Sequence, residues 1–371
     1  MRIFFLFISL WGYMQYSCAQ PMCLVPADSI AYTSEAFQFS DAQGKQTLKG
    51  ILTIPKELTS STKVVVLITP SLPISCDYYG FFSTLSDVFG RSGIATLRFD
   101  NRAYTDKSLI SKDETVTMFD QADDVHQALL ALRKDKRFAH QCIGLLGHSE
   151  GGAVASIEAA RNKDLGFVVC LSALGEKGVD VAYEQTSMPF KIGKVTEDTE
   201  NELSVLKEYV NIVNEYNSLD SIKMAFQQKG KEYYVSVKDK TKKFGNKSVD
   251  EYCQMMIQWY TRPRVMAMIK YSPSPYYSLI ACPVLVMHGK MDGNMDCINN
   301  LQGIENIFKK NGKKNYEILA VDSVDHDYIK VKHKIPLFIK QRMSHKQDGV
   351  KPEYSLETFE YISKWINNIY L

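Results

Sequence analysis

The chain lacks an excess of charge of either sign: Lys plus Arg number 44 and Asp plus Glu 42, a formal net charge of +2. Such a balance leaves no electrostatic footprint for nucleic acid or an anionic membrane, and neither is expected as a partner. The densest basic run, Lys238 to Lys247, is broken by Asp239, Phe244 and Gly245 and reads as a solvated helix end or loop. Beyond the N-terminus no apolar run approaches the roughly 18 residues of a spanning helix, so stable membrane insertion is not expected. Cysteines never occur as C-x-x-C pairs, which removes the usual structural zinc reading. There is no internal repeat and no low-complexity tract. With 45% hydrophobic and 23% charged residues, the composition is that of an ordinary globular protein.

The N-terminus departs from this plainness. Met1 and Arg2 precede an apolar stretch from Ile3 to Trp11, and the small residues Ser17, Cys18 and Ala19 precede Gln20. A short basic region, an apolar region and small residues describe a secretory signal peptide, with cleavage expected after Ala19. Export to a secreted or periplasmic location follows. Loss of Cys18 would leave seven of the 8 cysteines, so at least one is unpaired or pairs between chains.

Residues 36 to 54 alternate like two strands around a turn at Ser40 to Gly44 and stop at Pro55, which predicts an opening hairpin. Val64 to Ile68 is a continuous apolar run too short for a helix, as expected of a strand buried on both faces of a parallel sheet. Similar runs recur at Ile94 to Phe99, Ile143 to Leu146, Phe167 to Leu171, Val284 to Met287 and Tyr316 to Ala320. Helix-period segments lie between several of them: one presents Phe81, Leu85, Val88 and Phe89, another Val125, Leu129, Leu130 and Leu132. Alternating strands and helices predict an α/β fold with a mostly parallel sheet.

Residues 176–280 break the rhythm, with Leu203, Leu206, Val210 and Val213 at helical spacing and no strand-like run. The expected organisation is a leader at 1–19, two parts of one core at 20–175 and 281–371, and a helical insertion at 176–280 capping one end of the sheet. The methionines and aromatics between Tyr252 and Tyr277 are expected mostly to pack that insertion against the core. A terminal helix after Ser355 carries Leu356, Phe359, Ile362, Ile366 and Ile369 on an apolar stripe.

Chemistry enters at Gly147-His148-Ser149-Glu150-Gly151-Gly152, a G-x-S-x-G motif preceded by a strand run and followed by a helix-compatible segment. A serine on so sharp a turn needs small residues two positions away on each side, and Gly147 and Gly151 supply them. Ser149 is the candidate nucleophile, and the Glu150 backbone N–H at a helix start is a candidate oxyanion donor. A second donor is expected from the loop Thr69 to Pro73. Pro70 and Pro73 have no N–H, which leaves Ser71 or Leu72.

A serine needs a base in hydrogen-bond reach and an acid to orient that base. Of the later histidines, His326 lies in a polar loop after the Tyr316 to Ala320 strand and is the candidate base; His288 ends a strand and is expected to be structural. His333 and His345 sit in lysine-rich, exposed sequence. Asp292, on the loop following the Val284 to Met287 strand, is the candidate acid, ahead of Asp296 and Glu176. Asp325 and Asp327 flank His326 too closely to turn onto its ring. The side chains of His148 and Glu150 are expected to be turn residues. A metal built from His288, Asp292, Asp296 and His326 is not expected, and no cofactor is.

These features together resemble the α/β-hydrolase superfamily, and within it bacterial serine esterases and acyl hydrolases with a helical cap. The resemblance rests on the hairpin ending Leu48 to Pro55, the turn Arg98 to Arg102 with Ser108, the Gly147 to Gly152 turn, the run Ile269 to Asp292 and the terminal helix. This chain carries Ala103 and Thr105 where the family continues with glycines, and Thr69-Pro70 where many members have His-Gly. The resemblance implies acyl transfer to water from a small-molecule acyl ester through a Ser-His-Asp triad. A serine peptidase or acyl-peptide hydrolase, a thioesterase and an inactive ligand-binding homologue remain as alternatives, and oligomeric state is open.

Overall fold

The computed structural model describes residues 30–70, 74–105, 115–192, 197–238, 244–334 and 352–369. The expected leader, Cys18, Cys23, Ser71, Leu72, Pro73, Ser108 and His345 lie outside the described residues.

The opening hairpin consists of β1 (Tyr32–Ser40) and β2 (Thr47–Pro55), paired from Tyr32 opposite Pro55 to Ser40 opposite Thr47. Asp41 closes its turn: the backbone N–H donates to the Gln46 carbonyl at 2.9 Å and the carboxylate accepts from the Lys45 N–H at 2.8 Å. There follow β3 (Lys63–Ile68), β4 (Ala95–Phe99), β5 (Cys142–His148), β6 (Val168–Leu171), β7 (Val284–Gly289) and β8 (Tyr316–Val321). Together they make an eight-stranded sheet in the order β1-β2-β4-β3-β5-β6-β7-β8. β2 is antiparallel to β1 and β4, and every other neighbouring pair is parallel.

Among the described helices, α1 (Phe81–Arg91), α2 (Met118–Lys134) and α3 (Glu150–Arg161) connect the earlier strands. Between β6 and β7 come α4 (Gly178–Ile192), α5 (Glu197–Glu215), α6 (Leu219–Val237), α7 (Val249–Tyr260) and α8 (Pro263–Lys270), followed by a single turn at Ser274–Tyr277. After β7 come α9 (Cys297–Lys310) and α10 (Leu356–Asn367). No helix of the described residues is long and apolar enough to cross a membrane.

Coverage on both faces explains the uninterrupted apolar strands. Val64, Val66 and Ile68 of β3 enter one apolar cluster, with α2, α3 and α9; Val65 and Leu67 enter the other, with α1 and α10. β6 divides likewise into Val168 and Cys170 against Val169 and Leu171. The edge strand β8 is only half-buried along its length.

Two residues placed on apolar stripes by sequence spacing face outward instead. Leu130 is 43% exposed and Leu356 49% exposed. Leu130 falls one residue past the 125, 129, 132 row that α2 turns inward, and Leu356 is the first residue of α10, beyond the contact its later turns make with α1.

The five helices between β6 and β7 build their own packing. The spaced apolar residues from Leu203 onward lie on α5, which ends before Ser218 caps α6 by accepting the Ser221 N–H. Ser248 and Glu251 form a reciprocal capping box at the start of α7. The Tyr209 ring stacks on Phe226 at 4.9 Å, and its hydroxyl lies 3.0 Å from that of Tyr252. Tyr252, Met256, Tyr260, Met268, Tyr271 and Tyr277 are buried in the same cluster as α2 and α3, consistent with a packing role.

Chain direction across the sheet reverses around β3, which lies between β4 and β5. In open α/β sheets the crevice outside the carboxyl ends of the strands at such a point is where ligands bind. Ser149 follows the carboxyl end of β5.

Candidate active site

Ser149 stands between the last residue of β5 and the first of α3, with φ 56° and ψ −124°. A positive φ at a non-glycine residue costs about 1–3 kcal/mol and persists only where the surroundings enforce it. Here they do: the Ser149 N–H donates to the Leu171 carbonyl of β6 at 2.8 Å, and its own carbonyl accepts the Gly152 N–H at 2.9 Å. The glycines are required by contact. A Cβ on Gly147 would collide with the Gly151 carbonyl, and one on Gly151 with the Ile68 carbonyl at the end of β3. Glu150 is the first residue of α3, a position whose N–H has no intrahelical acceptor.

His326 and Asp292 arrive from loops at the ends of β8 and β7. The Met291 N–H donates to the Val324 carbonyl at 3.0 Å and the Lys290 N–H to the Val321 carbonyl at 2.8 Å, which joins the two loops. Gly289 permits this approach, because a Cβ there would strike the Val324 and Asp325 carbonyls. The result is a continuous chain: His326 Nε2 lies 3.0 Å from Ser149 Oγ, and His326 Nδ1 lies 2.7 Å from Asp292 Oδ2. With Nδ1–H donating to the carboxylate, Nε2 is the acceptor facing the serine.

Asp292 is fully buried. Its Oδ1 accepts the Asn294 and Met295 N–H groups at 2.7 and 2.9 Å, and its Oδ2 is shared with His288 Nε2, also at 2.7 Å. Burial alone would raise this carboxyl, but the facing His326 ring and the hydrogen bonds from both histidines hold it well below the ordinary carboxylate range. His288 is therefore more than a strand-end residue: it is the second imidazole on the acid's inner oxygen. The sequence signal was the spacing His288 to Asp292, which becomes a hydrogen bond only because the chain turns back at Gly289.

The His326 carbonyl is held from two strands. His148 Nε2 donates to it at 2.8 Å and Ser172 Oγ at 3.1 Å. Ser172, just past the end of the adjacent strand, also has a positive φ, 47°, and its N–H donates to the Met287 carbonyl at 2.8 Å. His148 is fully buried against Tyr78, Phe81 and the His326 ring. Burial, reinforced by the neighbouring His326, lowers its pKa to about 4, so it serves as a neutral donor. Asp327 accepts the Tyr78 hydroxyl at 2.9 Å, and Asp325 Oδ1 accepts the Asp327 and Ile329 N–H groups, so neither turns onto the His326 ring.

The Glu150 side chain is also engaged. Its Oε2 lies 3.1 Å from Arg264 Nη2 of α8, and both side chains are more than nine-tenths buried. Of the other candidates, Asp296 caps α9, accepting the Ile298 and Asn299 N–H groups; Glu176 follows β6, with its N–H on Asn300 Oδ1; His333 is exposed. The loop after β3 is anchored just beyond its undescribed part, where the Cys76 N–H donates to Asp100 Oδ1 at 2.7 Å and Arg98 Nε pairs with Asp77 at 2.9 Å. The six described cysteines are all free thiols.

Among the described residues, two groups bring histidine and carboxylate atoms within 4.8 Å of one another: His288, Asp292 and His326, and His148, His326 and Asp327. Both include His326, whose two ring nitrogens already face Asp292 and Ser149. A metal ion there would have to displace that hydrogen-bond chain.

No family model matches the chain, and no curated protein matches it by sequence. Solved structures do. One is 2,6-dihydroxy-pseudo-oxynicotine hydrolase, at 14% identity and a TM-score of 0.50 over 91% of this chain and 68% of that one. Another is proline iminopeptidase from Mycobacterium smegmatis, at 11% identity and a TM-score of 0.51 over 90% of this chain and 97% of that one. Identities this low speak to architecture alone. With its eight-stranded, mostly parallel sheet flanked by helices, the chain has the α/β-hydrolase fold.

Proposed function

We propose that the protein is an exported serine hydrolase, a carboxylesterase acting on small to medium acyl esters. The observation that carries this reading is the unbroken chain from Ser149 Oγ through His326 to a fully buried Asp292, built on a serine held at positive φ. In the reaction Ser149 Oγ attacks the ester carbonyl as His326 Nε2 takes its proton. Asp292 fixes the tautomer and stabilises the imidazolium that forms. The oxyanion is received by the Glu150 N–H and a second N–H from Ser71 or Leu72. His326 returns its proton to the leaving alcohol, and water, activated by the same imidazole, releases the acid.

The helices between β6 and β7 act in this reading as a cap, and Arg264 is their charged contact beside the nucleophile. The basic, apolar and small-residue succession of residues 1–19 supports export, with Gln20 as the mature N-terminus. Mass determination of the exported chain tests this.

The reaction is tested by turnover of aryl esters by the purified protein against Ser149→Ala, with fluorophosphonate labelling of Ser149. Removing the serine should lower kcat by about 10⁴-fold or more. Equal, negligible rates in both proteins together with no labelling would favour a ligand-binding homologue. A parallel panel of peptides, aminoacyl amides and thioesters separates an esterase from a peptidase or thioesterase.

A further inference from the structure

Glu150 presents a problem for the chemistry proposed above. Its backbone N–H is the oxyanion donor, yet the same residue carries a carboxylate, and that carboxylate is buried. The two groups are separated only by the length of one side chain. Negative charge grows on the substrate oxygen in the transition state, so an uncompensated carboxylate this close, screened little by water, would oppose what the N–H stabilises. Among the described residues, Oε1 of Glu150 is buried without a hydrogen-bond partner, so none of them disperses the charge at that oxygen. The compensating group recorded on Oε2 is the Arg264 guanidinium, at 3.1 Å, from α8.

We propose that Arg264 is a positioning residue that acts through Glu150, neutralising its carboxylate and so making the oxyanion site competent only when α8 is seated against α3. It rests on Ser149 as nucleophile and the Glu150 N–H as oxyanion donor. The placement supports a role beyond adhesion. α8 sits on the core through apolar residues, with Val265, Met268 and Ile269 buried in the main cluster, and Tyr271 just beyond it meets Ser156 of α3 at 3.1 Å between hydroxyl oxygens. Attachment of the insertion is thereby provided for without a buried ion pair. Such pairs are weak sources of stability, since desolvating both charges offsets most of their attraction.

The test compares wild type, Arg264→Met, Arg264→Lys and the double variant Glu150→Gln with Arg264→Met, with kcat, KM and thermal unfolding measured for each. Arg264→Met should lower kcat by about tenfold or more with little change in KM, as expected when an interaction matters mainly in the transition state. Arg264→Lys should restore part of the loss, and the double variant most of it, because no net charge then sits beside the oxyanion. A folded Arg264→Met with wild-type kcat overturns the proposal. So does a double variant no faster than Arg264→Met. Should Arg264→Met not fold, Glu150→Gln alone decides: keeping Arg264 while removing the opposing charge should raise kcat, and a fall in kcat overturns the proposal. Absence of any Ser149-dependent turnover in the wild type would instead sink the hydrolase reading, which the four-protein comparison leaves separate.

Discussion

The carboxyl end of the sheet and the helices between β6 and β7 bury polar groups in different ways. At the sheet end, His148, Ser172, His288, Asp292 and His326 are all buried and linked by hydrogen bonds through His326 and Asp292, and Ser149, Ser172 and Ser323, which follow strands there, hold positive φ. In the helices between β6 and β7 the large buried side chains are tyrosines and phenylalanines packed ring on ring, with the Tyr209 hydroxyl meeting that of Tyr252. The first region accepts strain and costly desolvation to fix a few atoms; the second gathers apolar area with little strain. Chemistry is expected to fail in the first and stability in the second.

The largest effect should come from Asp292→Asn. The amide would present N–H where His326 needs an acceptor, reversing the imidazole tautomer, and kcat should fall about 10⁴-fold with KM little changed. Steady-state kinetics on an aryl ester checks this. Next, Phe226→Ala removes a ring packed between Tyr209 and Tyr260 and should cost about 3–5 kcal/mol in denaturant unfolding. Its kcat should stay within about twofold, since its ring contacts, Tyr209 and Tyr260, lie outside the Ser149–His326–Asp292 chain. If Phe226→Ala lowered kcat as Asp292→Asn does, the division between the two regions would collapse.

The smallest effect sharpens the comparison through pH. His148 is held neutral, with its pKa lowered from 6.5 to about 4. The unfolded chain therefore binds more protons between those values, and the stability His148 contributes is present above pH 6.5 and is lost as pH falls toward 4. The full shift corresponds to roughly 3 kcal/mol. Asp292, also lowered, adds its loss only below the ordinary carboxylate range. Unfolding free energies measured from pH 7 to 4.5 should decline in the wild type and decline less in His148→Gln; parallel curves would show that His148 is not the group responsible.

Much of this was legible in the residues. The apolar runs announced strands covered on both faces, and Gly147 and Gly151 announced the tight turn because only packing between β3, β5 and α3 forbids a side chain there. The loops bearing Asp292 and His326 could be placed because each follows a recognisable strand. What the sequence withheld depends on long-range meeting. Arg264 and Glu150 lie 114 residues apart, and nothing in α8 marks its arginine as the one turned inward. His148 looked like a turn residue because its acceptor is a backbone carbonyl 178 positions away.

The backbone around Ser149 has a further consequence. Its N–H is bonded to β6, and the N–H of Ser172 is bonded to β7, so the hydrogen-bond ladder of the central sheet continues past the strand ends and through the serine itself. Active-site segments in many proteins open locally at small cost, because few internal bonds hold them. Here the serine is tied into the sheet: its amide should exchange with solvent on the timescale of global unfolding, later than the helices between β6 and β7 loosen.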